Sequence, residues 1–412
     1  MLVNRSGAMV MAFLSIYLSQ ELQWGDRFAG NAIAVYGAGA VVGSFIGGRL
    51  SSTVGAFRVQ QASLVGTAIG FVVLSQMESK ASVLGTLFVV SVAAESLRPA
   101  NVTAIAESVP TPLQRRAFAL NRLALNLGFT FGPAIGGLLA HYSYKLLFFA
   151  DGASCMAAAV LLTTMHGTEP KNSSDSASFS HESCASTGSS ELASTKQFAC
   201  FVGLSFVVFL IFFQLLSTYP IFLRNHYAMA EWQIGLLFSI NTLIIVAVEM
   251  ALIDSLRRFR DLRIIAVGTL LTCEGFALLS FGNSYHYAII ALVVWTFGEM
   301  IAMPTMMAYV ARSSLAKVRA KRIGTYSTTV AFGFVVAPLV GSWCYAIHPR
   351  LIWWIAAGLG PIVWFGYIRI DSFDPSPMFT SNQDGITTGN TIRTARELSI
   401  RETRMERVEP FV

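Results

Sequence analysis

Ionisable side chains occur inside segments of this chain that are otherwise apolar, and they could bind or carry protons there. Glu95 and Arg98 are three residues apart, so they share a face if the segment is helical. A charge within a membrane is costly, and such residues are candidates for function. Two interpretations stay open: the pair only holds its helix in place, or Glu95 exchanges a proton while Arg98 tunes its pKa or holds an anionic group.

Other polar residues lie in comparable positions. Glu299 is at a similar depth in a later apolar segment and is the second candidate for proton exchange. Asn101 follows Arg98 by three residues and is a candidate for the same cavity. Glu249 lies about one helical turn before an acidic residue and a run of arginines, which favours an ion pair there. Asp151 lies near the end of its segment, from where its carboxylate is expected to reach the membrane surface.

Sequence patterns that indicate an enzyme or a metal site are missing. There is no phosphate-binding loop of the form G-x-x-x-x-G-K-S/T, which argues against ATP-driven chemistry in this chain. The five cysteines have no C-x-x-C spacing, and the six histidines are dispersed. We therefore expect no cofactor, no metal and no enzymatic activity.

The elements that carry these residues are predicted to be membrane-spanning helices. Of the 412 residues, 54% are hydrophobic and 13% are charged, whereas a soluble domain has about a quarter charged residues. The apolar residues form blocks of about 20, the length that crosses a bilayer as a helix. The sequence predicts an all-α membrane protein with twelve spans, at residues 6–20 (shortened), 29–49, 60–77, 83–106, 117–140, 145–165, 198–220, 231–254, 263–281, 286–311, 322–346 and 350–369.

Lysine and arginine are distributed unequally between the two sets of loops. With both chain ends cytoplasmic, the cytoplasmic loops hold most of them. The asymmetry is typical of a multi-pass protein in the plasma membrane, or in the inner membrane of a bacterium. It accounts for the net charge of +6, and the scatter over separate loops argues against nucleic-acid binding. The opposite loops hold Arg27, Lys80, Lys145, Arg224 and Arg350.

The second half of the chain is similar to the first. A shift of 205 residues, with no gap, matches Gly30 to Gly235 and Pro133 to Pro338. A duplicated bundle of membrane helices is typical of secondary transporters. The same shift matches Gly70 to Gly275 and Pro99 to Pro304.

The fifth predicted span is rich in glycine. Gly128, Gly132 and Gly136 are four residues apart and share one face, where a neighbouring backbone can approach closely. Pro133 removes a backbone donor and weakens the helix at that point. Gly137 completes the run GFTFGPAIGG. The run serves tight packing, a bend about which two halves move, or both.

This run resembles the antiporter motif in the fifth helix of drug:proton antiporters of the major facilitator superfamily. LRPANVTAIAESVP and RRAFALNRLALNLGFTFGPAIGG resemble the fourth and fifth helices of twelve-helix multidrug exporters. GEMIAMPTMMAYVA resembles their tenth helix, and NRSGAMVMAFLSIYL the second part of their first. The resemblance covers about residues 4–369. It implies two six-helix bundles around a cavity lined by helices one, four, seven and ten, with Glu95 and Arg98 facing that cavity.

The loop between the second and third predicted helices departs from the family's pattern. The family reads G-x-x-x-D-R-x-G-R-R, and its aspartate belongs to a charge relay that locks the gate. Here GRLSSTVGAFR has Ser52 in place of the aspartate and Ala56 in place of an arginine. Gly48, Gly55 and the nearby Arg58 remain. We expect a gate that is weaker or is secured by other charges.

The predicted organisation is a first bundle at 1–165, a linker at 166–197, a second bundle at 198–369 and a tail at 370–412. The linker and tail are too polar to bury a core and are expected to be flexible. The first helix has too few apolar residues to cross about 30 Å of hydrocarbon. We expect that its inner half is missing from this sequence; a signal peptide is the other interpretation, but no A-x-A-like site follows it.

The leading functional hypothesis is proton-driven export of small amphiphilic compounds by alternating access. The expected partners are the lipid bilayer, protons and a small molecule, and we expect a monomer. Proton-coupled uptake or facilitated passage of a sugar, peptide or metabolite is the first alternative. A relative that binds a compound without transporting it is the second.

Overall fold

The protein is helical throughout the described part of the chain. The computed structural model describes residues 4, 9–166, 195–256, 258–314 and 316–372. Within these ranges all regular structure is helical, which confirms the predicted all-α class. The thirteen α-helices of the described residues are α1 (Val10–Ile16), α2 (Asp26–Thr53), α3 (Ala56–Leu74), α4 (Lys80–Ser108), α5 (Thr111–Tyr142), α6 (Tyr144–His166), α7 (Thr195–Phe212), α8 (Thr218–His226), α9 (Glu231–Leu256), α10 (Asp261–Leu278), α11 (Tyr285–Arg312), α12 (Ala316–Ile347) and α13 (Leu351–Ser372).

Ten helical segments among the described residues are long and apolar enough to cross a membrane. Of the two other predicted spans, α1 has 7 residues and continues only through a π-helical turn at Tyr17–Glu21. Helix α10 has 18 residues and includes three charged side chains, which lower its hydropathy. The predicted linker and tail fall outside the described residues, except for their edges at 166, 195–197 and 370–372, which are helical.

The seventh span is broken, whereas the sequence predicts one helix at 198–220. Helix α7 ends at Phe212, a 3-10 turn covers Phe213–Leu216, and α8 follows. Pro220 lies in the first turn of α8 and cannot donate the backbone hydrogen bond that would continue α7. The prediction of a continuous helix was wrong for this reason. The buried side chain of Gln214 fills the break and donates to Ala337 O of α12 at 2.8 Å.

The short loops alternate between two faces of the bundle, because consecutive helices run in opposite directions. We call one of them the contact face; the five basic residues that the sequence assigns to the outer side all lie at its helix ends or in its loops. We call the other the far face. The contact face has the loops 22–25, 75–79, 143, 227–230, 279–284 and 348–350, and the far face has 54–55, 109–110, 258–260 and 313–314.

Equivalent positions of the two halves make equivalent contacts. Gly70 of α3 packs on Val90 of α4, and a Cβ at Gly70 would overlap that side chain. The matching pair 205 residues later is Gly275 of α10 against Trp295 of α11, with the same close approach. The internal duplication inferred from the sequence is therefore present in the packing of the helices.

The two halves cross each other at two matching places. Helix α2 packs on α12, where a Cβ at Gly30 would lie 2.7 Å from Pro338 O. Helix α5 packs on α9, where a Cβ at Gly235 would overlap Pro133 O. Both crossings lie nearer the contact face, and the largest hydrophobic core cluster there contains residues of both halves.

Candidate functional site

Helix α4 packs against the three helices α2, α3 and α5. These contacts show which way each side of α4 faces. Pro99 faces α2, 3.8 Å from the Cβ position of Gly48. Ala93 faces α3, 3.5 Å from the Cβ position of Gly66. Asn101 faces α5. At about 100° per residue, the remaining strip of α4 lies opposite α3 and points away from the bundle of its own half.

Glu95 and Arg98 lie on that remaining strip. Arg98 Nη2 is 3.4 Å from Glu95 Oε2, and the side chains are 68% and 15% exposed, respectively. The carboxylate is thus shielded, while most of the guanidinium stays accessible in the middle of a membrane helix. An arginine has five N–H donors, so one ion pair leaves it able to bind a further acceptor. Both interpretations of the pair, structural and proton-exchanging, remain compatible with this geometry.

Asn101 binds within the first half. Its Nδ2 donates to Asn121 Oδ1 of α5 at 2.9 Å. The pair joins α4 to the glycine-rich helix through a part-buried hydrogen bond between two amides. The sequence analysis did not name Asn121 as a candidate. The available signal was the same as for Asn101, namely an amide side chain inside an apolar span.

Glu299 is held inside the second half by α9. Asn241 Nδ2 donates to Glu299 Oε2 at 3.3 Å and to Thr296 Oγ1 at 3.0 Å. Thr296 in turn donates to Leu292 O at 2.6 Å. Asn241 is buried and was not singled out from the sequence, although an amide in an apolar span was again the available signal.

Glu249 is a buried residue of α9, two turns beyond Asn241 toward the far face. A Glu95 counterpart in the second half would be residue 300, which is a methionine. Glu299 is one position earlier and is therefore turned by about 100° relative to that counterpart. The two candidate proton sites are not symmetric.

The glycine-rich helix α5 provides one of the two crossings between the halves. Its five motif residues are all buried. Gly136 faces Met9 and Phe13 of α1, and a Cβ there would lie 2.8 Å from Met9 Cβ. Gly137 faces α9, where a Cβ would lie 2.5 Å from Glu231 O. Gly137 and Pro133 bring the backbone of α5 against that of α9, whereas Gly136 leaves room for α1. Gly132 and Gly128 lie on the same helix, one and two turns farther from the contact face than Gly136, respectively.

The loop between α2 and α3 is a tight turn at the far face. Gly55 has φ +98°, a conformation that a residue with a Cβ adopts only under strain. Ser52 is exposed, and its Oγ donates to Arg49 O within α2 at 2.8 Å. Arg58 is exposed on α3, and Gly48 packs near Pro99 as described above. The serine hydroxyl is thus hydrogen-bonded within its own helix.

Two carboxylates at the far face of the second half are held by arginines. Asp371, at the end of α13, is 3.1 Å from Arg260 Nε and 2.9 Å from Arg263 Nε. Asp261 accepts from Arg312 Nη2 at 2.6 Å. These pairs join the start of α10 and the loop before it to α13 and α11. The sequence pointed to the arginines but not to Asp371, whose partners are more than 100 residues away.

Asp151 is buried, and the prediction that it reaches the membrane surface was wrong. It is 4% exposed on α6. Its Oδ2 accepts the backbone N–H groups of Met9 at 3.3 Å and Val10 at 3.2 Å, where α1 begins. The first N–H groups of a helix have no partner within the helix, and here they begin inside the bundle, so they require an acceptor there.

Comparisons with known proteins agree with this architecture. Residues 2–318 match the model of the Major Facilitator Superfamily. The chain is 22% identical over 348 residues to the uncharacterized MFS-type transporter YqjV of Bacillus subtilis (strain 168), which covers 82% of each chain. A shorter match, 26% identical over 120 residues, is to multidrug resistance protein 1 of the same organism and covers 29% of this chain and 30% of that one.

Solved transporters have the same fold. A POT family transporter in complex with 5-aminolevulinic acid superposes with a TM-score of 0.73 at 16% identity, covering 91% of this chain and 94% of that one. The nucleoside transporter NupG gives 0.70 at 15% identity, covering 90% and 98%. A D-xylose-proton symporter gives 0.69 at 13% identity, covering 90% and 95%. At these identities the likeness concerns the fold, and the predicted two-bundle fold is confirmed. The chain belongs to the Major Facilitator Superfamily and is a multi-pass membrane transporter of that type.

Proposed function

We propose that this transporter exports small amphiphilic compounds in exchange for protons, with Glu95 as the first proton carrier. The observation that carries the proposal is the Glu95–Arg98 pair on the one strip of α4 that points away from its own bundle. A shielded carboxylate beside an accessible cation can change its protonation when a solute or the opposite half alters its surroundings. The glycine-rich helix and the short match to a multidrug resistance protein support export as the direction.

The proposed cycle moves the two halves about their crossings. The structure has its halves packed together at the contact face, through α2 with α12 and α5 with α9. Opening that face while the far face closes would expose the strip of α4 to the other side of the membrane. We place the contact face outside the cell, because it has the fewer basic residues. In this orientation both chain ends are cytoplasmic, and one chain suffices for transport.

Reconstituted protein tests the proposal. Vesicles would hold a pH-sensitive dye, and a gradient of ethidium, an amphiphilic aromatic cation, would be imposed across them. Protons are expected to move against the ethidium flow, and Glu95→Gln is expected to abolish that movement. Glu78→Gln is the matched control, because Glu78 is an exposed carboxylate in the loop before α4.

Each of the other possible results of this experiment indicates one of the alternative functions. Protons that move together with a solute indicate proton-coupled uptake, and solute movement without protons indicates facilitated passage. Absence of any flux with folded protein indicates a relative that does not transport. Coupled exchange that survives Glu95→Gln contradicts the assignment of Glu95.

A further inference from the structure

Glu231 is a buried carboxylate at the place where the two halves meet. It is the first residue of α9 and is 6% exposed. Its backbone packs against Gly137 of α5, where the glycine leaves room for the α9 backbone. A buried carboxylate requires partners for its charge. The partners of Glu231 therefore determine how firmly this contact is held.

These partners come from both halves of the chain. Tyr144 OH, on α6 of the first half, donates to Glu231 Oε1 at 3.1 Å. His141 Nδ1, on α5 of the same half, is 3.9 Å from Oε2. Arg224 Nη2, on α8 of the second half, is 3.2 Å from Oε1. One carboxylate thus joins α5 and α6 to α8 and α9.

Two partners of Glu231 belong to the first half and one belongs to the second half. This allows the contact between the halves to break and re-form. If the halves separate at the contact face, Glu231 loses Tyr144 and His141 but keeps Arg224. Arg224 is fixed locally, since its Nη1 also donates to Met229 O in the turn before α9. The carboxylate then retains its counter-charge when the contact opens, which avoids the large cost of an unpaired buried charge. What changes between the two states is chiefly the hydrogen bond across the halves.

The corresponding position in the first half has different surroundings in the described part of the chain. The residue 205 positions before Glu231 is Asp26, at the start of α2, and it lines a small pocket with Ser342 and Tyr345 of α12. The residue that corresponds to Arg224 is Ser19. Both crossings therefore have a carboxylate facing the opposite half, and among the described residues the carboxylate at the crossing of α5 and α9 is the one paired with an arginine.

We propose that Glu231 is the latch of the contact face, a positioning residue that holds the two halves together through Tyr144 and must release them once in each transport cycle. The inference rests on alternating access as proposed above. It adds the group that sets the equilibrium between the closed and the open contact face. Neither Glu231 nor Tyr144 belongs to the Glu95 and Glu299 sites. The latch and proton coupling can therefore be tested separately.

Cross-linking across the contact face tests the latch. Gln20→Cys and Asn225→Cys, in a background with the five native cysteines replaced by serine, would place one thiol on each half at a point where the native side chains are in hydrogen-bond contact. A short bifunctional thiol reagent would report the closed fraction of the contact face. Loss of a charge-assisted hydrogen bond is expected to lower the closed-to-open ratio about tenfold in Glu231→Gln. Glu78→Gln, an exposed carboxylate of the same face, is expected to leave it unchanged.

Tyr144→Phe distinguishes a latch from a general loss of stability. The phenylalanine keeps the ring but removes the hydrogen bond across the halves, so its effect should be smaller in the Glu231→Gln background than alone. Thermal unfolding would show that each variant is folded. Equal cross-linking in Glu231→Gln and Glu78→Gln, or independent effects of the two substitutions, would overturn the proposal. If Glu231→Gln lowers the cross-linking but the protein moves no protons, proton coupling is refuted and the latch is not.

Discussion

Gln20 donates a hydrogen bond to Asn225, which is the residue at its own equivalent position in the second half of the chain. Residues related by a two-fold axis touch each other only where that axis passes between them. The pseudo-two-fold axis of the molecule therefore runs through this bond at the contact face. Asn225 also donates to Tyr345 OH of α12 at 3.0 Å, so the residue beside the axis is hydrogen-bonded to α12 as well. The same two-fold relation exchanges α2 with α9 and α12 with α5, so the crossings of α2 with α12 and of α5 with α9 occur at the same depth.

The first prediction concerns the crossing of α5 and α9. Gly235→Ala places a Cβ against Pro133 O, and neither backbone can give way without moving its half. We expect a loss of about 1–3 kcal/mol in the free energy of unfolding, together with a smaller closed fraction of the contact face. Gly85→Ala is the matched control, because nothing lies within 4 Å of its Cβ position in α4. Thermal unfolding and contact-face cross-linking measure both effects; equal behaviour of the two variants would contradict the close approach.

The second prediction concerns the turn between α2 and α3. Gly55→Ala forces a residue with a Cβ into φ near +98°. We expect about 1–3 kcal/mol of destabilisation from backbone strain alone, since the Cβ position itself is open. Gly358→Ala in α13 has equally open surroundings but helical backbone, so it should be neutral or stabilising. Unfolding midpoints that are unchanged in both variants would rule out strain at Gly55.

The third prediction concerns the far face of the second half. Asp371→Asn removes the charge that Arg260 and Arg263 share, and the carboxylate is only 5% exposed. A loss of about 1.5–3 kcal/mol in unfolding free energy is expected, because the bonds are charge-assisted and buried on the acceptor side. Asp261→Asn breaks a more exposed pair with Arg312 and should cost about 0–1 kcal/mol. Denaturant unfolding compares the two, and the reverse order would show that Asp371 is not the stabilising partner.

The fourth prediction concerns Asn241 and Glu299. If the amide acts through the carboxylate, Asn241→Ala and Glu299→Gln should each reduce proton-coupled transport, and the double variant should be no worse than Glu299→Gln. Thr296→Val is the control, because it removes the other acceptor of the Asn241 amide and leaves Glu299 in place. Proton flux in reconstituted vesicles measures the effect. Additive losses would show that Asn241 serves packing rather than the carboxylate.

Some features could be predicted from the sequence because their cause is local. The blocks of apolar residues near 29–49 and 286–311 correspond to α2 and α11, since a bilayer allows only structures that satisfy their own backbone hydrogen bonds. The break at Phe213–Leu216 was missed, although Pro220 was a visible cause. A proline in the first turn of a helix and a proline in its interior are indistinguishable until the start of the helix is known.

The sequence by itself determined the all-α class, the family, the duplication at a spacing of 205 residues and the membrane residues that carry charge. Helix formation and the spacing of small residues depend on residues that are neighbours in the sequence. They can therefore be recognised without knowledge of the packing. Only the tertiary structure decided which groups meet. Tyr144 and Glu231 are 87 residues apart, and Asp151 meets Met9 across 142 residues. Such pairs depend on how distant helices pack around the axis between Gln20 and Asn225, and no local pattern encodes that arrangement.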